Sequence, residues 1–308
     1  MDRLGSGSMS ALKQMRAVAV EGRGEKKSPP VLLLHGIGNG SWVWERDQQS
    51  LAEAGLSSWA VDLPGHGEDA DSNPSMADLR DSVLDALSEF DEPVCLVGHS
   101  MGGLVAQMVA AVAEVHSVVL ICSAPPREIR NLPQRHHISP GLPRVLPTLL
   151  GRPVDFRGQA YREIGFNCIP ESDHDRIEAQ LTKWPNRLSK QLLLRRPSVP
   201  PLTCPLLVTC GLQDRLISTR VARLIGDYHN NAVTWRFDDV GHFPQFEPGG
   251  TRLMEAVLGW IQAPQRRKVL EIEAFSPAEG VGSKKRHERT PHPERSDSRW
   301  KGRFKGRG

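Results

Sequence analysis

The chain has 308 residues, of which 39% are apolar and 28 are glycine, with a formal net charge of +3. This ordinary globular composition excludes a collagen-like chain, a disulfide scaffold and a wholly disordered polymer. The charge is local: residues 264–308 hold 13 Lys+Arg against 6 Asp+Glu, leaving 26 basic against 30 acidic residues elsewhere, so the basicity belongs to the tail and says nothing about a ligand of the body.

No stretch of about 20 residues is free of polar groups, as a membrane helix requires. The first twenty residues contain no apolar run longer than AVAV, and the five cysteines are scattered with no CxxC. Together these features point to reduced thiols in a cytoplasmic protein.

In chain order, residues 1–15 read as a polar, Gly/Ser-rich, flexible leader, and Ala17–Val20 as a short strand. Apolar strand-like runs then alternate with helical segments. The predicted strands are Val31–Leu34, Ser58–Asp62, Val94–Val97, Val118–Cys122, Leu206–Cys210 and Val233–Phe237. Most are continuously apolar, as strands of a parallel sheet buried on both faces are. Predicted helices are Met76–Phe90, opened by a Ser75-x-x-Asp78 capping box, then Leu104–Ala113, Thr219–Tyr228 and Arg252–Ile261. The fold class is therefore α/β, a mostly parallel, doubly wound sheet. Residues 124–201 break the alternation. They are rich in Pro and Arg, with helical pieces at Gln159–Phe166 and Asp173–Trp184, and read as an insertion over one end of the sheet. The segment 263–308 is too polar to offset its ordering entropy and reads as a disordered basic tail.

Two strand ends carry chemistry. Gly98-His99-Ser100-Met101-Gly102 matches Gly-x-Ser-x-Gly between an apolar strand and a helix-forming segment, the context of a nucleophile elbow. Side chains at positions 98 and 102 would collide with a neighbouring strand or helix, while Ser100 Oγ would project at a helix N-terminus that favours negative charge. Earlier, Val31–Leu34 runs into His35-Gly36-Ile37-Gly38. There the backbone N–H of Ile37, together with that of Met101, would stabilise the oxyanion of a tetrahedral intermediate.

The strand–His-Gly turn, the Asp62-Leu63-Pro64-Gly65-His66-Gly67 turn, the elbow and a late Gly241-His242 stand in the order and at the spacing of the α/β-hydrolase fold, which the chain resembles over about residues 16–262. The resemblance implies a helical lid insertion between the family's sixth and seventh strands. It also implies an acid after the strand that follows the insertion and a histidine before the last helix. Asp214 and His242 occupy those positions, giving the chain order Ser100…Asp214…His242. In that scheme His242 takes the Ser100 proton and Asp214 holds its tautomer. Asp238 and Asp239 compete as acids, but neighbours at a strand end rarely reach the far ring nitrogen, which favours Asp214. The region before Val31 is too short for a full pair of antiparallel edge strands.

A serine at position 100, rather than an aspartate, argues against the aspartyl-ester chemistry of epoxide hydrolases and haloalkane dehalogenases. Hydrolysis of a small or medium acyl ester through an acyl-serine intermediate is the default. Lactone or C–C bond hydrolysis, lyase or cofactor-free oxygenase or peroxidase chemistry on the same residues, and ligand binding without turnover stay open. The Gly38–Glu45 segment resembles the plant methylesterase and hydroxynitrile-lyase branch. Expected pocket residues are His99, Trp42, Trp44, Tyr161, Trp184 and Phe243, joined by Phe156, Phe166 and Leu142–Leu150 of the insertion. The arginines 127, 130, 135, 152, 157 and 162 read as a solvated lid face rather than an acid-binding patch. His35 and His66 are expected to bond nearby backbone. His136 and His137 lack partners at zinc-ligand spacing, so no metal and no cofactor is expected. The basic tail reads as a solvating extension, with contact to nucleic acid or an anionic membrane as the alternative.

Overall fold

In the computed structural model the described residues are 10–25, 27–129, 153, 155, 157–264 and 272–275. They build an eight-stranded sheet: β1 (Val18–Val20), β2 (Lys27–Leu34), β3 (Leu56–Val61), β4 (Cys95–His99), β5 (Ser117–Ile121), β6 (Leu206–Gly211), β7 (Ala232–Phe237) and β8 (Ile272–Phe275). The spatial order is β1-β3-β2-β4-β5-β6-β7-β8. Only β1 runs antiparallel to its neighbour, and it contributes just three residues.

The helices are α1 (Ala11–Gln14), α2 (Glu45–Glu53), α3 (Met76–Leu87), α4 (Met101–Ala110), α5 (Gln159–Gly165), α6 (Glu171–Glu178), α7 (Asn186–Leu194), α8 (Thr219–His229) and α9 (Gly250–Gln262). The capping box of α3 forms as the sequence predicts, with Ser75 accepting from the Asp78 amide and Asp78 from the Ser75 amide. Continuous apolar runs make strands buried on both sides. In β2, Leu32 and Leu34 join the cluster under α3, α4 and α8, while Val31 and Leu33 join the one under α2 and α9. The first-turn helix α2 is missing from the sequence reading because ERDQQSLAE offers too few apolar residues to show a period, and α7 is hidden in the Arg/Leu-rich insertion.

Two differences from expectation concern the ends of the chain. The leader closes in a helical turn: Ser10 caps α1, Leu12 donates its amide to Glu89, and Met15 is buried. Three apolar side chains (Ala11, Leu12, Met15) suffice to seat it. At the other end, Ile272–Phe275 lies inside the stretch that composition assigns to a disordered tail, yet it pairs in parallel with β7. A four-residue segment with a glutamate in it (Ile-Glu-Ala-Phe) carries too little signal to stand out in a polar tail, but an open sheet edge needs only its backbone donors and acceptors. The leader before residue 10, the tail after 275, and Arg130, Arg135, His136, His137, Leu142–Leu150, Arg152 and Phe156 lie outside the described residues. Among the described residues no helix is long and apolar enough to cross a membrane.

The topology decides where chemistry can occur. From β2 the chain steps outward to β3 and then back across β2 to β4, so the winding reverses between β2 and β4. A crevice opens beyond the carboxyl ends of strands at such a reversal. Leu34 is registered with Gly98, which brings the His35–Gly38 turn and Ser100 side by side at that crevice.

One carboxylate is buried away from this crevice. Asp47 of α2 is only 3% exposed, with the Arg46 Nε 3.9 Å away. Burial pushes its acid up to about 7. Because the folded value exceeds the unfolded one, the native state binds more protons between about pH 4 and 7, and stability falls as pH rises through that window. Asp47→Asn is expected to raise Tm at pH 8 and to do so much less at pH 5. Equal shifts at both pH values in thermal melts would contradict this.

Candidate active site

Ser100 follows β4 and precedes α4 with φ 52° and ψ −115°, a conformation that non-glycine residues hold only when their surroundings impose it. The surroundings do so through backbone bonds: the Ser100 amide donates to Ile121 and its carbonyl accepts from Gly103 and Ala124. The flanking glycines are dictated by close approach. A Cβ at Gly98 would lie 2.4 Å from the Gly102 carbonyl oxygen, and one at Gly102 would lie 2.3 Å from that of Leu34 in the adjacent strand.

His242 comes from the loop after β7 and Asp214 from the turn after β6. Ser100 Oγ stands 3.2 Å from His242 Nε2, and His242 Nδ1 stands 2.9 Å from Asp214 Oδ2. The other oxygen of Asp214 accepts the amides of Leu216 and Ile217 at 2.7 and 2.8 Å, which locks the carboxylate in orientation. The competing acids are engaged elsewhere: Asp239 faces Arg252, and Asp238 lies 3.9 Å from Arg236.

Two further groups hold the histidine loop. His99 Nε2 lies 2.7 Å from the His242 carbonyl oxygen and must donate to it. Burial, with help from the nearby His242, pulls the His99 imidazole down to about 3, so it stays neutral. Glu247 is fully buried, and its carboxylate accepts the amides of both Gly241 and Phe243, the residues on either side of His242. Burial raises this acid to about 7, against the lowering effect of those two amides. Nothing in the sequence singles Glu247 out. It stands five residues beyond the histidine in a Pro-rich loop, and only the fold of that loop turns it back. The Cys122 thiol lies beneath the site, 3.5 Å from the Gly241 carbonyl, kept protonated by burial.

Ser100 and His242 open into a cavity of about 170 Å³ lined by Ile37, Asn39, His99, Met101, Tyr161, Trp184, Phe243 and, from the end of α7, Leu192, Leu193 and Arg196. Ile37 and Met101 thus both line the cavity, and Asn39 pins the Ile37 turn by donating to its carbonyl. The segment between β5 and β6 reaches this cavity through a small core of its own: Tyr161, Phe166, Ile169, Ile177 and Leu181 pack with Phe243. It is also tied to the His-Gly turn, since the Thr182 amide donates to Gly38. Gly38 has φ +77°, and a Cβ there would lie 2.5 Å from Trp184 Nε1, so that position must be glycine for the indole to sit down. Trp184 itself falls beyond α6, which ends at Glu178 rather than continuing through residue 184.

The expectation that Trp42 and Trp44 border the pocket is corrected. The tight 3₁₀ turn Ser41–Trp44 rolls Trp44 into the core beneath α2 and α9, where it is fully buried. It points Trp42 sideways onto Phe246, with ring centroids 5.5 Å apart. Sequence adjacency to the oxyanion turn suggests proximity, but one helical turn is enough to redirect both rings. His35 and His66 bond backbone groups as expected, through Leu63 and Gly36 for the first and Leu63 and Pro64 for the second. Arg157 and Arg162 meet acids of the same insertion. No disulfide joins any of the five cysteines.

Comparison with known proteins agrees with this architecture. The chain is 34% identical over 110 residues to methylesterase 7 of Arabidopsis thaliana, an alignment covering 33% of this chain and 42% of that protein. It is 38% identical over 99 residues to the pimeloyl-[acyl-carrier protein] methyl ester esterase of Pseudoalteromonas atlantica, covering 32% and 38%. Thus the chain spans only about two-fifths of the length of these curated relatives. In fold it resembles a thermophilic esterase from Thermogutta terrifontis, with a TM-score of 0.62 at 20% identity over 81% of this chain and 94% of that one. The sequence pattern of the alpha/beta hydrolase family matches residues 31–252. With that match spanning most of the chain and the eight-stranded sheet beneath it, the protein belongs to the alpha/beta hydrolase family.

Proposed function

We propose that the protein hydrolyses the ester of a small or medium acyl group and a small alcohol through an acyl-serine intermediate. The observation that carries this reading is the unbroken chain of short contacts from Ser100 Oγ through His242 to Asp214 at the floor of a mainly apolar cavity. His242 Nε2 takes the Ser100 proton as Oγ attacks the ester carbonyl. The carbonyl oxygen becomes an oxyanion facing the Ile37 and Met101 amides. The latter is a first-turn donor of α4 without a partner inside its helix. Collapse of the tetrahedral intermediate breaks the bond to the alcohol, which leaves with the proton from His242. Water then attacks the acyl-serine with His242 as base and frees the acid. Asp214 keeps the Nδ1 proton in place and stabilises the imidazolium. The segment 124–201 acts as the lid of this site, with Tyr161, Trp184 and Phe243 as walls for the acyl chain.

The names of the curated relatives, both methyl ester hydrolases, support a small alcohol as leaving group. The test is covalent. A fluorophosphonate is expected to add one equivalent to the intact chain, mapped by peptide mass to Ser100, and a panel of p-nitrophenyl esters is expected to be turned over best at short to medium acyl length. Labelling of Ser100 without turnover of any ester in the panel would overturn ester hydrolysis in favour of a lactone or C–C substrate. Labelling elsewhere would overturn the nucleophile.

A further inference from the structure

Four of the arginines described between β5 and β6 have answering acids. Arg157 meets Asp155, Arg162 meets Asp175 and Glu178, Arg176 meets Asp173, and Arg187 lies 3.6 Å from Asp78. Arg196 differs. It lies two residues beyond α7 in the wall of the same cavity that holds Ser100 and His242, it is half-buried, and no carboxylate answers it among the described residues. Among the described residues its one hydrogen bond runs from a terminal nitrogen to the Ile129 carbonyl at 2.8 Å, out of the five N–H donors a guanidinium carries. Glu128, beside Ile129, is engaged by the Ser198 hydroxyl and the Val199 amide, and from there to Asp155 the sequence has no acidic residue, while Arg130, Arg135, Arg144 and Arg152 add positive charge. Burial alone acts on the Arg196 guanidinium, pulling it down from its usual value. A half-buried, unpaired cation in an apolar wall is costly unless an anion completes it.

We propose that Arg196 is a specificity-determining residue that binds an anionic group, a carboxylate, on the substrate end remote from the scissile carbonyl. The preferred substrates are then esters of ω-carboxy acyl chains. The inference rests on the acyl-serine reading above for where the scissile bond lies, but not for the binding of the anion itself. The remaining walls, Leu192, Leu193, Tyr161, Trp184 and Phe243, would cover the methylene chain between the two ends. A guanidinium accepts a carboxylate through two parallel N–H bonds, and its unpaired donors permit this while the Ile129 contact holds the side chain in place.

Two measurements on the full chain test this. The first is the ratio of kcat/KM for p-nitrophenyl hydrogen glutarate to that for p-nitrophenyl valerate, its uncharged counterpart of equal chain length. Arg196→Gln is expected to lower the ratio by about 10- to 100-fold, mainly through KM, as loss of a charge-assisted bond does. Arg196→Lys keeps the charge without the fork and is expected to fall between. Raising ionic strength to about 0.5 M should compress the wild-type ratio. The second measurement needs no turnover: titration calorimetry of monomethyl glutarate and methyl valerate into Ser100→Ala, with and without Arg196→Gln. Tighter binding of the anion that vanishes in the double variant supports the proposal. A glutarate-to-valerate ratio unchanged by Arg196→Gln, or equal binding of the two ligands to Ser100→Ala, overturns it. Failure of the first measurement through absence of turnover, with the calorimetric preference intact, would count against the acyl-serine reading and for the anion site.

Discussion

Ser100→Ala is expected to lower kcat on a short-chain ester by about 10⁶-fold while leaving the fold intact. Oγ is the only atom of the proposed relay that bonds to the substrate, and without it His242 has no alcohol to deprotonate, so His242 and Asp214 lose their function together rather than in additive steps. A mechanism in which His242 served as a base without a nucleophile would retain far more activity. Stopped assays at high enzyme concentration distinguish the two, and a loss of under about 10³-fold would refute the acyl-serine route. The same position carries a separate stability prediction. Alanine inherits the φ of 52°, because the strain belongs to the backbone and to the three bonds that hold it. Glycine relaxes the strain and is expected to raise stability by about 1 kcal/mol over alanine, after the entropy it adds to the unfolded chain. Equal denaturation midpoints for the two variants would show that the elbow stores no strain.

Glu247→Ala is expected to cost about 2–4 kcal/mol of stability, because it strands two buried amides that have no other acceptor in reach. Those amides flank His242, so the imidazole loses its placement against Ser100. A displacement on the order of 1 Å is enough to cost about 100-fold in rate. The loss should fall on kcat rather than KM, since Glu247 lies behind the histidine loop and not in the cavity. Glu247→Gln keeps one acceptor oxygen and should recover part of both losses. Urea denaturation read beside kcat separates the roles: lost stability with full kcat would make Glu247 a structural residue only, without a part in positioning His242. The pH dependence has a definite sign. With the folded acid raised to about 7 and the unfolded one near 4.5, the native state binds the extra proton in between, so this residue makes stability decline as pH rises across that window. Glu247→Gln should flatten the decline.

Much of the architecture is legible along the chain. Runs such as Val31–Leu34 and Leu206–Cys210 have no polar alternation and bury on both faces, so their place in a parallel sheet follows from composition alone. The elbow is legible because its constraint is local: a serine turned sharply between strand and helix leaves no room for side chains at 98 and 102, and the glycines record that. Asp214 and His242 are legible through the family resemblance, which implies an acid after the strand that follows the insertion and a histidine before the last helix. What escaped was decided by rotation and return. Whether Trp42 or Trp44 enters the pocket depends on a few tens of degrees in one 3₁₀ turn, and sequence adjacency carries no such angle. Glu247 bonds backwards to its own loop, a contact with no periodic signature. The Ile272–Phe275 strand pairs with the open edge of β7, a backbone contact that composition does not record.

The buried, parallel character of the strands, the glycines of the elbow and the place of Ser100 between strand and helix were therefore determined by local chemistry written in the chain: apolar runs, small residues and strand ends. Only the folded molecule decided which aromatic rings line the cavity, which carboxylate braces the histidine, and which arginine without a counter-ion stands in the cavity wall. These depend on distances between segments far apart in sequence, where a single turn or rotamer decides whether charge meets charge.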